Sequence, residues 1–288
     1  MAKPSHDLIL KISCPDTPGL VSKIANYIAS YHANVVEFNQ FADAVNGKFF
    51  ARLEIDTSEA SVSVEDLKDG FAVLGKSIKA TWHFRQLPHK TKTALLVTKT
   101  THCLNEILWR AQVGELPIEI TSVIGNRRNC QELVERAGLT FHYVDFEDQP
   151  KEDAFTEVNE ILKSEEVNLV ILARFMQIMP SWMCEEYAGK MINIHHSFLP
   201  AFIGANPYRQ AYNRGVKLIG ATCHYVTSDL DAGPIIEQQV SRVQHFHNVN
   251  DLTRMGRDCE RAALAKGIRY HVYDRTIIDG NRAIVFSD

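Results

Sequence analysis

The run Ala94-Leu95-Leu96-Val97-Thr98 decides the fold. Four apolar residues in succession, without polar alternation, read as a strand covered on both faces, as in a parallel sheet. Helix and strand patterns alternate downstream of it. Leu104 to Val113 reads as helix, Ile118 to Ile124 as strand, Gln131 to Ala137 as helix and Thr140 to Val144 as strand. Ala154 to Lys163 is helical, Val167 to Ala173 is a strongly apolar strand, and a short helix follows Pro180 before a strand that runs into Asn193. Pro207 to Arg214 and Asn250 to Val272 are helical, with strands between them at Lys217 to Thr227 and Ile235 to Val243. This alternation predicts an α/β fold, a doubly wound and mostly parallel sheet over residues 94–288.

Upstream the rhythm differs. Leu8 to Ile12, Val35 to Phe41, Phe49 to Ile55 and Thr81 to Gln86 read as strands. Asn46-Gly47 supplies hairpin chemistry between the second and third. Leu20, Ile24, Tyr27 and Ile28 form one helical stripe, and Val64 to Ile78 is a second amphipathic helix. The β-α-β-β-α-β order over residues 1–86 predicts a ferredoxin-like arrangement. Pro18 suits a first helical turn, and Asp16 is the expected N-cap. The helix N-terminus near Gly19 could also hold a small carboxylate. The polar stretch 87–93, with a proline, is the expected linker.

The chain has 288 residues, 45% hydrophobic and 23% charged, with a net charge of −4. That balance argues against a general nucleic-acid binder. No apolar run is long enough to span a bilayer, and Met1 to Asp7 lacks the apolar core of a signal peptide. The six cysteines are scattered without a C-x-x-C pair, so reduced thiols in a cytoplasmic protein are expected rather than disulfides or structural zinc.

Two strings carry chemistry: Asn193-Ile-His195-His196-Ser197-Phe-Leu-Pro200 and Asp231-Ala-Gly-Pro. Asn193 and His195 are two apart, so on a strand they face the same side. An amide, an imidazole and a carboxylate at strand ends can surround one carbonyl carbon. Alone, Asp231 reads as a turn residue and His195 as a cap; together they favour function. His196 should point the other way on a strand, and His224 reads as a structural residue near the site. His245 and His247 read as solvated or capping histidines, since no third ligand has matching spacing. Thr98 to Leu104 contains no glycine, which argues against a dinucleotide or phosphate cradle. Gly125-Asn-Arg-Arg128 reads equally as an anion site or a solvated turn.

Together with Gly215 to Val226, these strings resemble the folate-dependent formyltransferase superfamily, from about Thr93 to the C-terminus. In it, Asn-x-His and Asp-x-Gly-Pro surround the formyl group of 10-formyltetrahydrofolate. Asp16-Thr-Pro18-Gly19-Leu20, with the split β-α-β order, resembles an ACT domain. The combination, with Gly114 to Pro117 and Leu172 to Gln177, resembles the formyltetrahydrofolate deformylases. The resemblance implies hydrolysis of 10-formyltetrahydrofolate to formate and tetrahydrofolate, which supplies formate for purine synthesis and balances the one-carbon folate pool. Formyl transfer to an amine acceptor is the alternative.

By the same resemblance Asn193, His195 and Asp231 are catalytic, with Asp231 orienting and helping to deprotonate water. Arg174, Phe175, Met176, Gln177, Ile178, Met179, Val226, Thr227 and Leu230 bind folate, with His196, His224 and Ser197 supporting them. Asp16, Pro18, Gly19 and Leu20 form an effector site for an amino acid, glycine or methionine. The folate is a substrate, with no prosthetic group or metal, and a cytoplasmic homo-oligomer is expected. Ile203, Asn206, Arg209 and Ser228 depart from the family pattern, as does Asn126-Arg127.

Overall fold

A computed structural model describes residues 7–199 and 207–287. The chain divides into two compact units. The first contains the described residues up to His89 together with Asp274–Ile277 and residues 284–287; the second contains Lys90–Tyr273 and Ile278–Ala283.

In the first unit β1 (Leu8–Pro15), α1 (Leu20–Ser30), β2 (Asn34–Asp43), β3 (Lys48–Asp56), α2 (Val64–Ser77) and β4 (Thr81–Gln86) follow in the expected order. The strands pair antiparallel in the order β2-β3-β1-β4. Leu8, Leu10 and Ile12 alternate along β1 and pack with Leu20, Ile24 and Ile28 of α1 and Leu67 and Phe71 of α2. The hairpin between β2 and β3 pairs Asp43 with Lys48, so its loop has four residues and not the two of an Asn-Gly turn. Asp43 Oδ1 accepts from the backbone N–H groups of Val45 and Asn46 and fixes that loop.

The start of α1 differs from expectation. Gly19 occupies the N-cap with φ of 86°, and no side chain caps the helix. Pro18 lies before the helix, and the Asp16 backbone N–H donates to Gly47 O at 2.9 Å. The turn toward the hairpin holds Asp16 away from the helix end. Leu20 is 2% exposed and belongs to the core, so its side chain is not free for an effector.

The second unit contains β5 (Thr91–Val97), α3 (His102–Gln112), β6 (Ile118–Gly125), α4 (Gln131–Arg136), β7 (Phe141–Tyr143), α5 (Lys151–Ser164), β8 (Leu169–Leu172), α6 (Ser181–Glu186), β9 (Met191–His195), α7 (Pro207–Arg214), β10 (Leu218–Tyr225), β11 (Ile235–Arg242) and α8 (Val249–Val272). The sheet order is β11-β10-β9-β8-β5-β6-β7. Strands β5 to β9 are parallel, and β10 runs against both its neighbours. The central strands β5 and β8 are buried over most of their length, as their unbroken apolar runs require. The order reverses between β5 and β8, so loops at the carboxyl ends of β5, β8 and β9 border one crevice, the usual ligand position in such sheets.

Two boundaries move. β5 starts at Thr91, inside the expected linker 87–93, because Thr91 pairs with Ile118 and is buried. Residues 274–277 and 284–287, expected in the catalytic domain 94–288, belong to the first unit. The reason is charge: Lys11 Nζ lies 2.9 Å from Asp274 Oδ1, and Arg85 also pairs with that carboxylate. Arg275 stands 3.8 Å from Glu54 Oε1, which pairs with Arg52 at 3.0 Å. A terminal hairpin, β12 (Thr276–Asp279) and β13 (Arg282–Val285), was not foreseen. All six cysteines are buried and unpaired. Among the described residues no helix is long and apolar enough to cross a membrane.

Candidate active site

Asn193 and His195 alternate along β9 and line the same cavity. The strand then stops. Thr222, fully buried on β10, donates its hydroxyl to Ser197 O at 2.9 Å and accepts from Leu199 N at 3.1 Å. Gln238 Nε2 on β11 donates to the same hydroxyl and to Leu199 O. These bonds bend the chain after His195. His196 therefore does not point away, as a strand residue would; its ring lies 5.0 Å from that of His195 and lines the same cavity. Ser197 is buried beside a neighbouring small pocket and is not among the residues lining the main cavity.

Asp231 sits in the turn after β10 with φ of 54°, a left-handed conformation that aspartate tolerates better than most residues. Two residues on, a Cβ at Gly233 would lie 1.9 Å from Tyr225 O, so only glycine lets this turn close on the strand. Tyr225 N–H donates to Pro234 O at 2.9 Å and closes it. The Asp-Ala-Gly-Pro string is thus both a turn and part of the site.

The three expected groups converge. His195 Nδ1 lies 3.2 Å from Asp231 Oδ2. His224 Nε2 lies 3.7 Å from Asp231 Oδ1 and 3.2 Å from Asn193 Nδ2. His224 Nδ1 faces Tyr225 O at 2.8 Å and must be the protonated nitrogen there. With its proton on Nδ1, His224 accepts from Asn193 at Nε2, which fixes the amide orientation and leaves Asn193 one free N–H. Burial alone would raise the Asp231 carboxyl. The adjacent His195 imidazole, through its ring N–H, outweighs it and holds the group well below the usual carboxylate range. His195 is 7% exposed, and its Nε2 is buried with no hydrogen-bond partner among the described residues. A buried unpaired nitrogen is costly, so this atom is the natural contact for a ligand.

The cavity has a volume of about 270 Å³. All nine residues expected to bind folate line it: Arg174 through Met179, Val226, Thr227 and Leu230. Met176, Ile178 and Leu230 carry exposed apolar side chains there, unusual unless something covers them. Met176 N–H donates to Thr98 Oγ1 at 2.9 Å, so the end of β5 holds this loop. Ser228 also lines the cavity. Arg209 is exposed on α7, and Ile203 and Asn206 lie outside the described residues. Arg127 pairs with Glu147, and Arg128 bonds Gln131 and stacks on Tyr143 at 4.2 Å. Both charges are engaged internally, which favours the solvated-turn reading of that stretch. His247 Nδ1 accepts from Gln244 N–H, a capping role.

Sequence reasoning missed Glu260, His102 and Tyr208. Glu260 is 1% exposed on α8; it meets His102 Nε2 at 2.8 Å and Tyr208 OH at 2.7 Å. Its signal was there: it falls on the stripe of Leu252, Gly256, Ala263, Leu264 and Gly267, where a carboxylate must be buried.

The formyl transferase family profile matches residues 91–268. A formyltetrahydrofolate deformylase of Bacillus subtilis is 43% identical over 96% of this chain and 93% of its own. The crystal structure of a formyltetrahydrofolate deformylase from Pseudomonas syringae pv. tomato superposes with a TM-score of 0.95, at 40% identity over 99% of this chain and 96% of that one. A glycinamide ribonucleotide transformylase of Symbiobacterium toebii gives a TM-score of 0.66 at 32% identity, covering 71% of this chain and 97% of its own. Agreement over nearly the whole length, both units included, sets the deformylases apart from that partial match: the chain belongs to the formyltetrahydrofolate deformylase family.

Proposed function

We propose that the protein hydrolyses 10-formyltetrahydrofolate to formate and tetrahydrofolate. The carrying observation is the unpaired, buried Nε2 of His195, in a cavity it shares with the Asn193 amide and the Asp231 carboxylate. A carboxyl held as low as that of Asp231 is a weak base, so the base role passes from Asp231 to His195. Asp231 receives the Nδ1–H of His195 and leaves Nε2 with a lone pair.

Water attacks the formyl carbon while its proton moves to His195 Nε2. The ionised Asp231 stabilises the resulting imidazolium. The free N–H of Asn193 and the imidazolium stabilise the tetrahedral oxyanion, where one such donor supplies about 3–4 kcal/mol. On collapse the carbon–nitrogen bond breaks and His195 returns its proton to the departing folate nitrogen. The apolar rim of Met176, Ile178 and Leu230 suits a flat heteroaromatic ring.

The first unit acts as an ACT-like regulatory domain in this reading. The exposed turn at Asp16, Pro18 and Gly19, which leads into a helix without a side-chain cap, is the place for a glycine or methionine carboxylate. The protein works in the cytoplasm as a homo-oligomer. The test is incubation of purified protein with 10-formyltetrahydrofolate and no acceptor, with and without glycine or methionine. Stoichiometric formate is expected; formate that appears only when an amine acceptor is added overturns hydrolysis in favour of transfer.

A further inference from the structure

Behind His196 lies a polar cluster centred on the buried Glu260, one member of which, Arg174, also lines the cavity. Arg174 NH1 meets His196 Nδ1 at 2.6 Å. Its Nε lies 3.3 Å from Glu260 Oε2, close enough for charge attraction though out of hydrogen-bond alignment. Glu260 is further held by His102 at 2.8 Å and by Tyr208 at 2.7 Å. The approach of Tyr208 depends on Gly256, one turn before Glu260 on α8, where a Cβ would sit 2.1 Å from the tyrosine oxygen. His102, Cys103 and Glu260 are near enough to share a cation. The adjacent Arg174 already supplies the positive charge, and both carboxylate oxygens are engaged, so the cluster reads as a hydrogen-bond centre.

We propose that Glu260 and Arg174 are positioning residues for the reaction, locking His196 as a neutral imidazole with its proton on Nε2. The inference rests on the hydrolytic reading of the site. Its logic is donor counting. A guanidinium can only donate, so the His196 nitrogen facing Arg174 must accept and cannot carry a proton. The remaining nitrogen, Nε2, is then a donor in a side chain that lines the cavity. His195, whose ring is 5.0 Å away, becomes the one imidazole of the pair free to gain a charge. A second cation there would oppose the imidazolium that the hydrolysis needs.

The groups facing His196 agree. Arg174 and His195 oppose its protonation, while Glu260 and Asp231 favour it; Tyr208 adds a ring contact. Burial comes first, and with Arg174 and His195 it prevails, pushing His196 down to about 4. Glu260 keeps Arg174 from standing as an uncompensated charge beside the catalytic groups.

The test reads the imidazole nitrogens of the full-length, 15N-labelled protein by long-range proton–nitrogen correlation, with His196 assigned through His196→Gln. Across about pH 5.5 to 8, His196 should show an unprotonated Nδ1 and a protonated Nε2, a single tautomer in the neutral form. In Arg174→Met and Glu260→Gln that pattern should give way to tautomer exchange. In Glu260→Gln, kcat should fall about tenfold or more while KM changes less than about threefold, the signature of lost positioning rather than lost binding. Arg174→Lys, which keeps a donor and a charge, should restore part of the tautomer pattern lost in Arg174→Met.

A protonated Nδ1 in the wild-type protein overturns the proposal without recourse to any variant. So does a Glu260→Gln protein with unchanged tautomer and kcat. If Glu260→Gln does not fold, Tyr208→Phe loosens the same carboxylate and is read in the same way. The tautomer is independent of turnover. A locked His196 without formate release therefore sinks the hydrolytic reading, and formate release without a locked His196 sinks this one.

Discussion

The first unit buries Arg52 and Glu54 against each other, at 1% and 2% exposure and 3.0 Å apart. The second buries His195 against Asp231 at 3.2 Å. Both are charged clusters in low-dielectric surroundings, yet they differ in what lies beside them. Arg52 and Glu54 are joined by Glu37 and Arg275, charge meeting opposite charge. His195 and Asp231 border a cavity of about 270 Å³. Buried charge by itself therefore does not mark a site; buried charge beside an opening does.

The largest way to break this comparison is Asp231→Asn. It should lower kcat about 10³–10⁴-fold, roughly 4–5 kcal/mol of barrier, while folate binding measured by fluorescence persists. Full turnover would place the chemistry elsewhere. Next is Arg52→Met, which leaves Glu54 without its nearest partner. It should cost about 3 kcal/mol in a denaturant titration, with kcat per folded molecule within about twofold of wild type.

A smaller effect comes from pH. His196 is pushed down from 6.5 to about 4, so the unfolded chain binds its proton first. Stability should decline as pH falls from 6.5 toward 4, by about 1–2 kcal/mol at pH 5, read from urea midpoints. Asp231 acts lower still: its contribution is full above the ordinary 3.8 and is lost as pH falls through its depressed native value. The smallest effect is Arg136→Ala, which removes an exposed pair with Glu132. It should change stability by less than about 0.5 kcal/mol, a control for surface charge.

The sheet and the convergence of Asn193, His195 and Asp231 were legible because they depend on local signals. Apolar runs mark central strands, a spacing of two puts side chains on one face, and Asp-Ala-Gly-Pro marks a turn. His196 was misread because its direction depends on Thr222, 26 residues later in the chain, which bends the loop after β9. Asp16 looked like a cap because its spacing from the helix is right; a backbone bond to Gly47 holds it elsewhere. Glu260 carries no motif, since its partners come from α3, α7 and the loop after β8. Membership of Asp274 and Arg275 in the first unit is equally invisible, because nothing near them in the chain announces a counter-charge about 190 to 260 residues upstream.

That last arrangement bears on how the molecule is made. Asp274 supplies the carboxylate for Lys11 and Arg85, and its carbonyl accepts from Arg52 Nε at 3.1 Å. A ribosome releases Leu8 through Gln86 long before it reaches these residues, so the early strands emerge with their basic side chains still lacking that partner. The nascent first unit can collapse on its leucines and isoleucines, but it must wait for residues about 190 to 260 positions downstream before its electrostatics close. Expressing it as a free-standing fragment would preserve the wait and remove its end.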